Sequence, residues 1–256
     1  MSDVVSWHTE STGVVVVTLD RGPANALGPA ILDGMHEAID AAERAGDVKV
    51  MIVRSAIEGF FAAGADIKHL SAIDAEAFTA YGDTMRAVND RLTAAPWISI
   101  AAVDGIAFGG GLELAMACTM RVAGPRGGFG LPEVKIGLIA GAGGTQRLTQ
   151  LVGRGRSLDI QLTGRKVSSE EALAIGLVDR LTDGDVLAEA LTLAGQLTQA
   201  SLPAQLAVVR TVGAAYDLPL EQGFAFEVAQ EQALFEHGEA AEGITAFIEK
   251  RRPNFA

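Results

Sequence analysis

Three consecutive glycines, Gly109-Gly110-Gly111, stand between an apolar stretch, Ile98–Val103, and a helix-forming one at residues 112–117. That order is restrictive, because glycine lets a chain reverse sharply and lets another group lie against the backbone. A strand that feeds a helix in this way also needs a layered α/β core to bury both. The same order occurs twice earlier. Val14–Leu19 is a β-branched run closed by the turn Asp20-Arg21-Gly22-Pro23, and residues 31–43 follow with apolar positions at helical spacing. Residues 48–54 form a second buried-strand candidate, after which Ala63-Gly64-Ala65-Asp66 leads into a short helix through Leu70, with Asp66 as its cap. Residues 81–94 read as a further helix, stopped near Pro96.

Beyond the first third, Asp104-Gly105 reads as a turn, residues 129–144 as a glycine-rich loop, and Thr145 as the start of another helix. Ser168 is placed as an N-cap ahead of Glu170 and Glu171, whose charges suit a helix start. Residues 187–199 read as helical, broken by Leu202-Pro203, and the remainder is almost wholly helical, with apolar spacing at residues 224–234 and 244–248. The expected organisation is an α/β core over residues 1–195 and a helical segment over residues 196–256.

The chain has 256 residues, enough for one substantial core. Its net charge of −12 opposes binding of nucleic-acid backbone as the main activity, since that work needs a basic surface. The single cysteine, Cys118, excludes an internal disulfide and suits a reducing compartment, so a cytoplasmic location is expected. The first twelve residues carry Asp3 and Glu10 and no apolar run beside positive charge, unlike a signal peptide. The most apolar stretch, residues 98–120, is interrupted by Asp104, Glu113 and the triple glycine, so no membrane span is expected.

Two carboxylates lie beside glycine-rich backbone. Glu113 falls in the first turn of the helix that follows Gly109-Gly110-Gly111, and Glu133 follows Gly130-Leu131-Pro132, ahead of Gly141-Ala142-Gly143-Gly144. Each has a structural reading, as a helix-start acid or an acid after proline, and a chemical one. A pair able to hold a water between them suits addition of water to an activated alkene, one acid taking a proton and the other giving one. The helix starts at Gly110 and at Ala65 each offer unpaired N–H groups, which converging on one oxygen would stabilise an oxyanion; two tight glycine turns are the plainer reading. Other chemistries lack their signatures. No Walker loop is present, Gln146 spoils a dinucleotide fingerprint, and there is no nucleophile elbow. His8, His36, His69 and His237 are scattered, so no metal site is expected.

Together these segments resemble the crotonase superfamily, and within it the enoyl-CoA hydratases. The resemblance is carried by Arg21-Gly22-Pro23-Ala24-Asn25-Ala26-Leu27, Phe60-Phe61-Ala62-Ala63-Gly64-Ala65-Asp66-Ile67-Lys68, and Val103-Asp104-Gly105 through Gly109-Gly110-Gly111-Leu112-Glu113. It continues in Leu131-Pro132-Glu133-Val134-Lys135-Ile136-Gly137-Leu138, Gly141-Ala142-Gly143-Gly144-Thr145-Gln146-Arg147-Leu148 and the closing Phe247-Ile248-Glu249-Lys250-Arg251-Arg252-Pro253-Asn254-Phe255. It implies a spiral of repeated ββα units with a helical C-terminal segment. It implies syn addition of water to a trans-2-enoyl-CoA, with Glu113 activating water, Glu133 protonating the α-carbon, and the amides of Ala65 and Gly110 as the oxyanion hole.

By the same resemblance, Ala24, Ala63, Gly64, Asp66 and Ile67 line the coenzyme A path, and Gly141 supplies an amide that helps place the catalytic groups. Lys68 and Lys250 meet the phosphates, and the chain assembles as a trimer or hexamer in which Lys250 serves a neighbouring subunit. Coenzyme A is part of the substrate, so no separate cofactor is implied. Residues 73–90 and 138–142 are expected to set the depth of the acyl pocket. One departure is that the Arg21–Leu27 segment is a residue short and lacks the lysine of many hydratases. A related isomerase needs only one acid, and a non-catalytic acyl-CoA binder needs neither; the presence of both acids favours hydration.

Overall fold

A computed structural model describes residues 3–255; Met1, Ser2 and Ala256, at the outer ends of the two expected segments, lie outside the described residues. In chain order the strands are β1 (Val5–Ser11), β2 (Val14–Leu19), β3 (Val50–Ser55), β4 (Gly59–Ala62), β5 (Ile98–Val103), β6 (Gly105–Phe108), β7 (Met120–Ala123), β8 (Gly128–Gly130), β9 (Val167–Ser168) and β10 (Arg180–Leu181). The helices are α1 (Pro29–Ala45), α2 (Ile67–Leu70), α3 (Ala75–Thr93), α4 (Gly110–Ala117), α5 (Gly144–Val152), α6 (Arg154–Thr163), α7 (Ser169–Ala174), α8 (Val186–Leu197), α9 (Leu202–Asp217), α10 (Leu220–His237) and α11 (Ala240–Glu249).

The larger sheet runs β1-β2-β3-β5-β7-β10 and the smaller β4-β6-β8-β9. Pairing is parallel except at the outer pairs β1-β2 and β8-β9. Successive units therefore repeat one step. β3, β5 and β7 enter the large sheet, β4, β6 and β8 cross into the small one, and a helix follows. This is the expected spiral of ββα units.

The large sheet is covered on both faces, which is why its strands read as unbroken apolar runs. Val14, Val16, Val50, Ile52, Ile100 and Ala102 pack with Ala190, Leu193 and Ala194 of α8, while the alternate residues Val15, Val17, Met51, Val53, Ala101 and Val103 join the main core with α1, α3 and α4. Each large apolar side chain so buried contributes roughly 1.5–3 kcal/mol.

Several boundaries differ from the sequence reading. The helix expected from Tyr81 begins six residues earlier, at Ala75, because Asp74 caps it; that first turn and a half is largely solvent-facing and carries no apolar period. Asp104-Gly105 is a change of sheet rather than a simple turn, since β6 starts at Gly105. The loop expected over residues 129–144 holds the end of β8 and a single 3-10 turn at Glu133–Ile136. Leu202-Pro203 opens α9 instead of ending a helix, with Ser201 as cap and proline in the first turn, where its missing N–H costs nothing. Asp66 and Ser168 cap α2 and α7 as expected.

The expected junction at residues 195/196 falls within α8, whose Ala194 is buried against the large sheet. Beyond it, α9, α10 and α11 bury only Ala207 and Ala246 and expose Val208, Val212, Phe224, Val228, Phe247 and Ile248. No helix among the described residues is long and apolar enough to cross a membrane.

Candidate active site

β4 and β6 are parallel neighbours, paired at Gly59 with Gly105, Phe60 with Ile106 and Ala62 with Ala107, so the turns that follow them emerge side by side. The first turn is Ala63-Gly64-Ala65-Asp66 and the second is centred on Gly109. Gly64 has a φ of 106°, and a Cβ there would lie 2.9 Å from the Phe108 carbonyl oxygen, so the two turns touch backbone to backbone. A Cβ on Gly110 would sit 3.7 Å from the Ala65 nitrogen, which places the two expected oxyanion donors next to each other. Neither amide donates to an acceptor among the described residues. Gly110 also opens α4, so its N–H lies at the positive end of that helix.

Glu113 sits one turn along α4, where its N–H makes the first helical bond to the Gly109 carbonyl at 2.9 Å. Its side chain is 2% exposed, and Oε1 accepts N–H bonds from Ala142 and Gly144, both at 2.7 Å. Burial raises its pKa, with the two amides opposing that rise by favouring the carboxylate. Glu133 begins the 3-10 turn after Pro132 and reaches back toward Gly109; a Cβ on that glycine would lie 2.6 Å from its Oε1. Its Oε2 is buried without a hydrogen-bond partner. Burial, with the charge of Glu113 adding to it, pushes the Glu133 pKa up to about 7.

Both acids and both amides line one cavity of about 470 Å³, a size suited to a small ligand or part of a large one. Ile67, Leu70, Phe78, Met85, Ile136 and Ile139 form its apolar wall. Residues from both segments expected to set acyl depth are present, Phe78 to Arg86 on one side and Leu138 to Ala142 on the other.

The remaining expected residues divide. Ala63 and Gly64 line the cavity, and the Ala63 N–H donates to the Ala24 carbonyl at 3.0 Å, which holds Ala24 alongside. Ile67 lines it and is 55% exposed. The Asp66 carboxylate is committed elsewhere: Oδ1 accepts from the amides of Lys68 and His69, and Oδ2 pairs with Arg21 at 2.8 Å. Burial works against its charge, but Arg21 and those amides more than offset this and hold its pKa below the usual carboxylate range. Gly141 lines the cavity, yet the amides that reach Glu113 belong to Ala142 and Gly144; Gly141 contributes its carbonyl, to Arg86. Lys68 is exposed on α2, and Lys250 caps the far end of α11; neither lines the cavity of a single chain.

Three residues that the sequence reading did not single out lie close to this machinery: Tyr81, Arg86 and Asn89 of α3. A polar asparagine at apolar helical spacing was the one visible signal. Among the described residues no group of three or more His, Cys, Asp or Glu side chains is arranged to hold a metal ion.

Residues 9–256 match the family model described as enoyl-CoA hydratase/isomerase. The chain is 39% identical over 250 residues to a probable enoyl-CoA hydratase of Rhizobium meliloti (strain 1021), covering 94% of each protein. It is 35% identical over 246 residues to a probable enoyl-CoA hydratase of Bacillus subtilis (strain 168), covering 94% of this chain and 95% of that protein. The crystal structure of an enoyl-CoA hydratase from Bacillus anthracis superposes with a TM-score of 0.94 at 30% identity, covering 99% of both chains.

Proposed function

Because the chain belongs to the enoyl-CoA hydratase/isomerase family, we propose that it hydrates a trans-2-enoyl-CoA by syn addition, giving a 3-hydroxyacyl-CoA. The observation that carries the reading is the pair Glu113 and Glu133 in one cavity with the two undonated amides of Ala65 and Gly110.

In this reading the thioester oxygen accepts from both amides, which draws electron density from the conjugated alkene and favours the enolate that forms on attack. Glu113, whose two amide bonds favour its charged form, takes a proton as water adds to the β-carbon. Glu133, held neutral to about pH 7 by its surroundings, gives its proton to the α-carbon. Proton count balances: the water's hydroxyl goes to the β-carbon and its proton to Glu113, the α-hydrogen comes from Glu133, and exchange between the acids through solvent restores the starting state.

The coenzyme A moiety enters as part of the substrate, along Ala24, Ala63, Gly64, Asp66 and Ile67, with Lys68 and a neighbouring subunit's copy of the Lys250 position available to its phosphates. Backbone and apolar contacts dominate that path, since the Asp66 carboxylate is occupied by Arg21. The exposed apolar residues of α9–α11 support a trimer or hexamer with those helices as the assembly segment. The single buried cysteine accords with a cytoplasmic protein.

The direct test is loss of conjugated-thioester absorbance on adding enzyme to crotonyl-CoA, beside hexenoyl and decenoyl analogues. Rapid loss with 3-hydroxyacyl-CoA as product supports the reading and ranks chain length. Binding of the esters with no turnover would replace it with a double-bond isomerase or a non-catalytic binder.

A further inference from the structure

Tyr81, Met85 and Asn89 lie four residues apart on α3 and are 7%, 7% and 3% exposed, so one stripe of this helix is turned into the protein. Each meets a different part of the site. The Tyr81 hydroxyl donates to the Leu27 carbonyl at 2.5 Å and accepts from the Asp66 amide at 3.3 Å, tying down the turn that carries Ala65. The Met85 methyl rests against Gly110, 2.4 Å from where a Cβ would be. The Asn89 Nδ2 donates to the Ala142 carbonyl at 3.0 Å.

The last contact matters because of what surrounds it. The Gly141–Ala142 peptide has its N–H on Glu113 Oε1 at 2.7 Å and its carbonyl on Arg86 Nη1 at 2.8 Å. The next peptide has its carbonyl on Asn89, and the one after it returns an N–H to Glu113 Oε1 at 2.7 Å. Two side chains of α3 thus hold consecutive carbonyls of the turn whose amides grip the carboxylate. Arg86 is partly exposed and also pairs with Asp83, whereas Asn89 is enclosed and its amide donates inside the protein. A donor fixed on one side of a peptide chain also polarises the N–H groups beyond it.

We propose that Asn89 is a positioning residue: through the Ala142 carbonyl it fixes the turn at residues 141–144, so that two amides keep Glu113 aimed into the cavity. Tyr81 holds the oxyanion turn in the same manner, with no hydrogen bond to Glu113 or to the turn at residues 141–144. The kinetic consequence rests on the hydration reading; the hold on Glu113 does not. Loosening the turn weakens the two amide bonds, which favour the carboxylate, so Glu113 should titrate at higher pH when Asn89 is lost. The other charged or titratable groups facing Glu113 are Arg86 and Tyr81 on α3, Arg147 on α5 and Glu133 on the 3-10 turn, and all are kept in the variants of Asn89.

The experiment follows the Glu113 carboxyl by ¹³C titration in full-length protein, with Glu113→Gln assigning the signal, and measures kcat and KM for crotonyl-CoA against pH. The variants are Asn89→Leu, nearly isosteric, and Asn89→Ser, smaller and easier to accommodate should the first fail to fold; Tyr81→Phe is the comparator. For the Asn89 variants the Glu113 titration and the acidic limb of kcat move to higher pH, and kcat falls on the order of 10–100-fold with KM within about threefold. Tyr81→Phe lowers kcat and leaves the Glu113 titration in place. The proposal is overturned if Glu113 titrates as in the wild type in both Asn89 variants, or if Tyr81→Phe moves it equally, which would mean general loosening of α3. Absence of wild-type turnover would overturn the hydration reading alone, since the titration is read without substrate.

Discussion

Glu113 and Glu133 face the same cavity in opposite hydrogen-bonding conditions: Glu113 Oε1 accepts two amides at 2.7 Å, while Glu133 Oε2 is buried without a partner. Two like acids are thereby made unlike, which on the proposed reading suits one to act as base and the other as acid. Replacing either by glutamine keeps shape and removes the proton chemistry. Glu113→Gln and Glu133→Gln are each expected to lower kcat on crotonyl-CoA by roughly 10²–10⁴-fold with the circular dichroism spectrum unchanged. A loss of under about tenfold in both would refute the two-acid reading.

The raised pKa of Glu133 has a kinetic sign. As proton donor it must be neutral, so kcat for hydration should fall as pH rises through about 7, and this alkaline limb should vanish from the residual rate of Glu133→Gln. The two acids interact, so the limb reports the pair.

It also has a thermodynamic sign. A carboxyl whose folded pKa lies above its unfolded value contributes stability below the unfolded pKa, and that contribution is lost as pH rises through the folded pKa of about 7. Glu133→Gln should therefore melt above the wild type at about pH 8, and the two should converge near pH 4.5. Equal melting temperatures at both pH values would argue that the carboxyl is solvated as in the unfolded chain.

Gly109 has a φ of 52°, and a Cβ there would meet Glu133 Oε1 at 2.6 Å. Gly109→Ala is expected to destabilise the fold by about 1–3 kcal/mol in urea unfolding and to lower kcat by displacing Glu133.

The Arg21–Asp66 pair behaves oppositely to Glu133. Asp66 is held below its usual pKa, so its stabilising effect is present above the unfolded carboxylate pKa and lost as pH falls through the folded one. Arg21→Ala should cost about 1–3 kcal/mol near neutrality, and the gap from wild type should close in acid. A gap independent of pH would assign the loss to packing of the arginine stem.

Phe224, Val228 and Phe247 are exposed on α10 and α11. Sedimentation should show a trimer or hexamer, and Phe247→Asp together with Phe224→Asp should shift it toward monomer. Wild type that sediments only as monomer would remove the assembly reading.

Much of this was legible in the sequence. The apolar runs at Val14–Leu19 and Ile98–Val103, and the glycine turns ahead of α2 and α4, were enough to locate those strands, the turns and both acids. The smaller strands were not legible, for physical reasons. β1 carries His8 and Glu10 on an edge with solvent on one side, and β4, β6 and β8 are three or four residues long and rich in glycine, so neither alternation nor β-branching marks them. Asn89 was hidden because its importance lies in the carbonyl of a residue 53 positions away, a separation that no local pattern encodes. That the amides reaching Glu113 belong to Ala142 and Gly144 was hidden for the same reason: which of several adjacent N–H groups points at it depends on turn geometry, and both Arg86 and Asn89 help to set it.

β4 and β6 are hydrogen-bonded to each other, and each ends in one of the two amide-bearing turns. Any displacement of the small sheet as a body carries Ala65 and Gly110 along together. On the proposed reading, the gap between the two amides, which is what a thioester oxygen held by both would sense, is insulated from such movement. The apolar wall opposite is built from α2, α3 and the residues after Glu133, and it touches the pair through Tyr81, which accepts from the Asp66 amide, and Met85, which rests against Gly110, whereas Phe78, Ile136 and Ile139 stand away from the two turns. On the proposed reading, bulk can therefore be traded at Phe78, Ile136 and Ile139 while the gauge of the oxygen-binding notch stays constant.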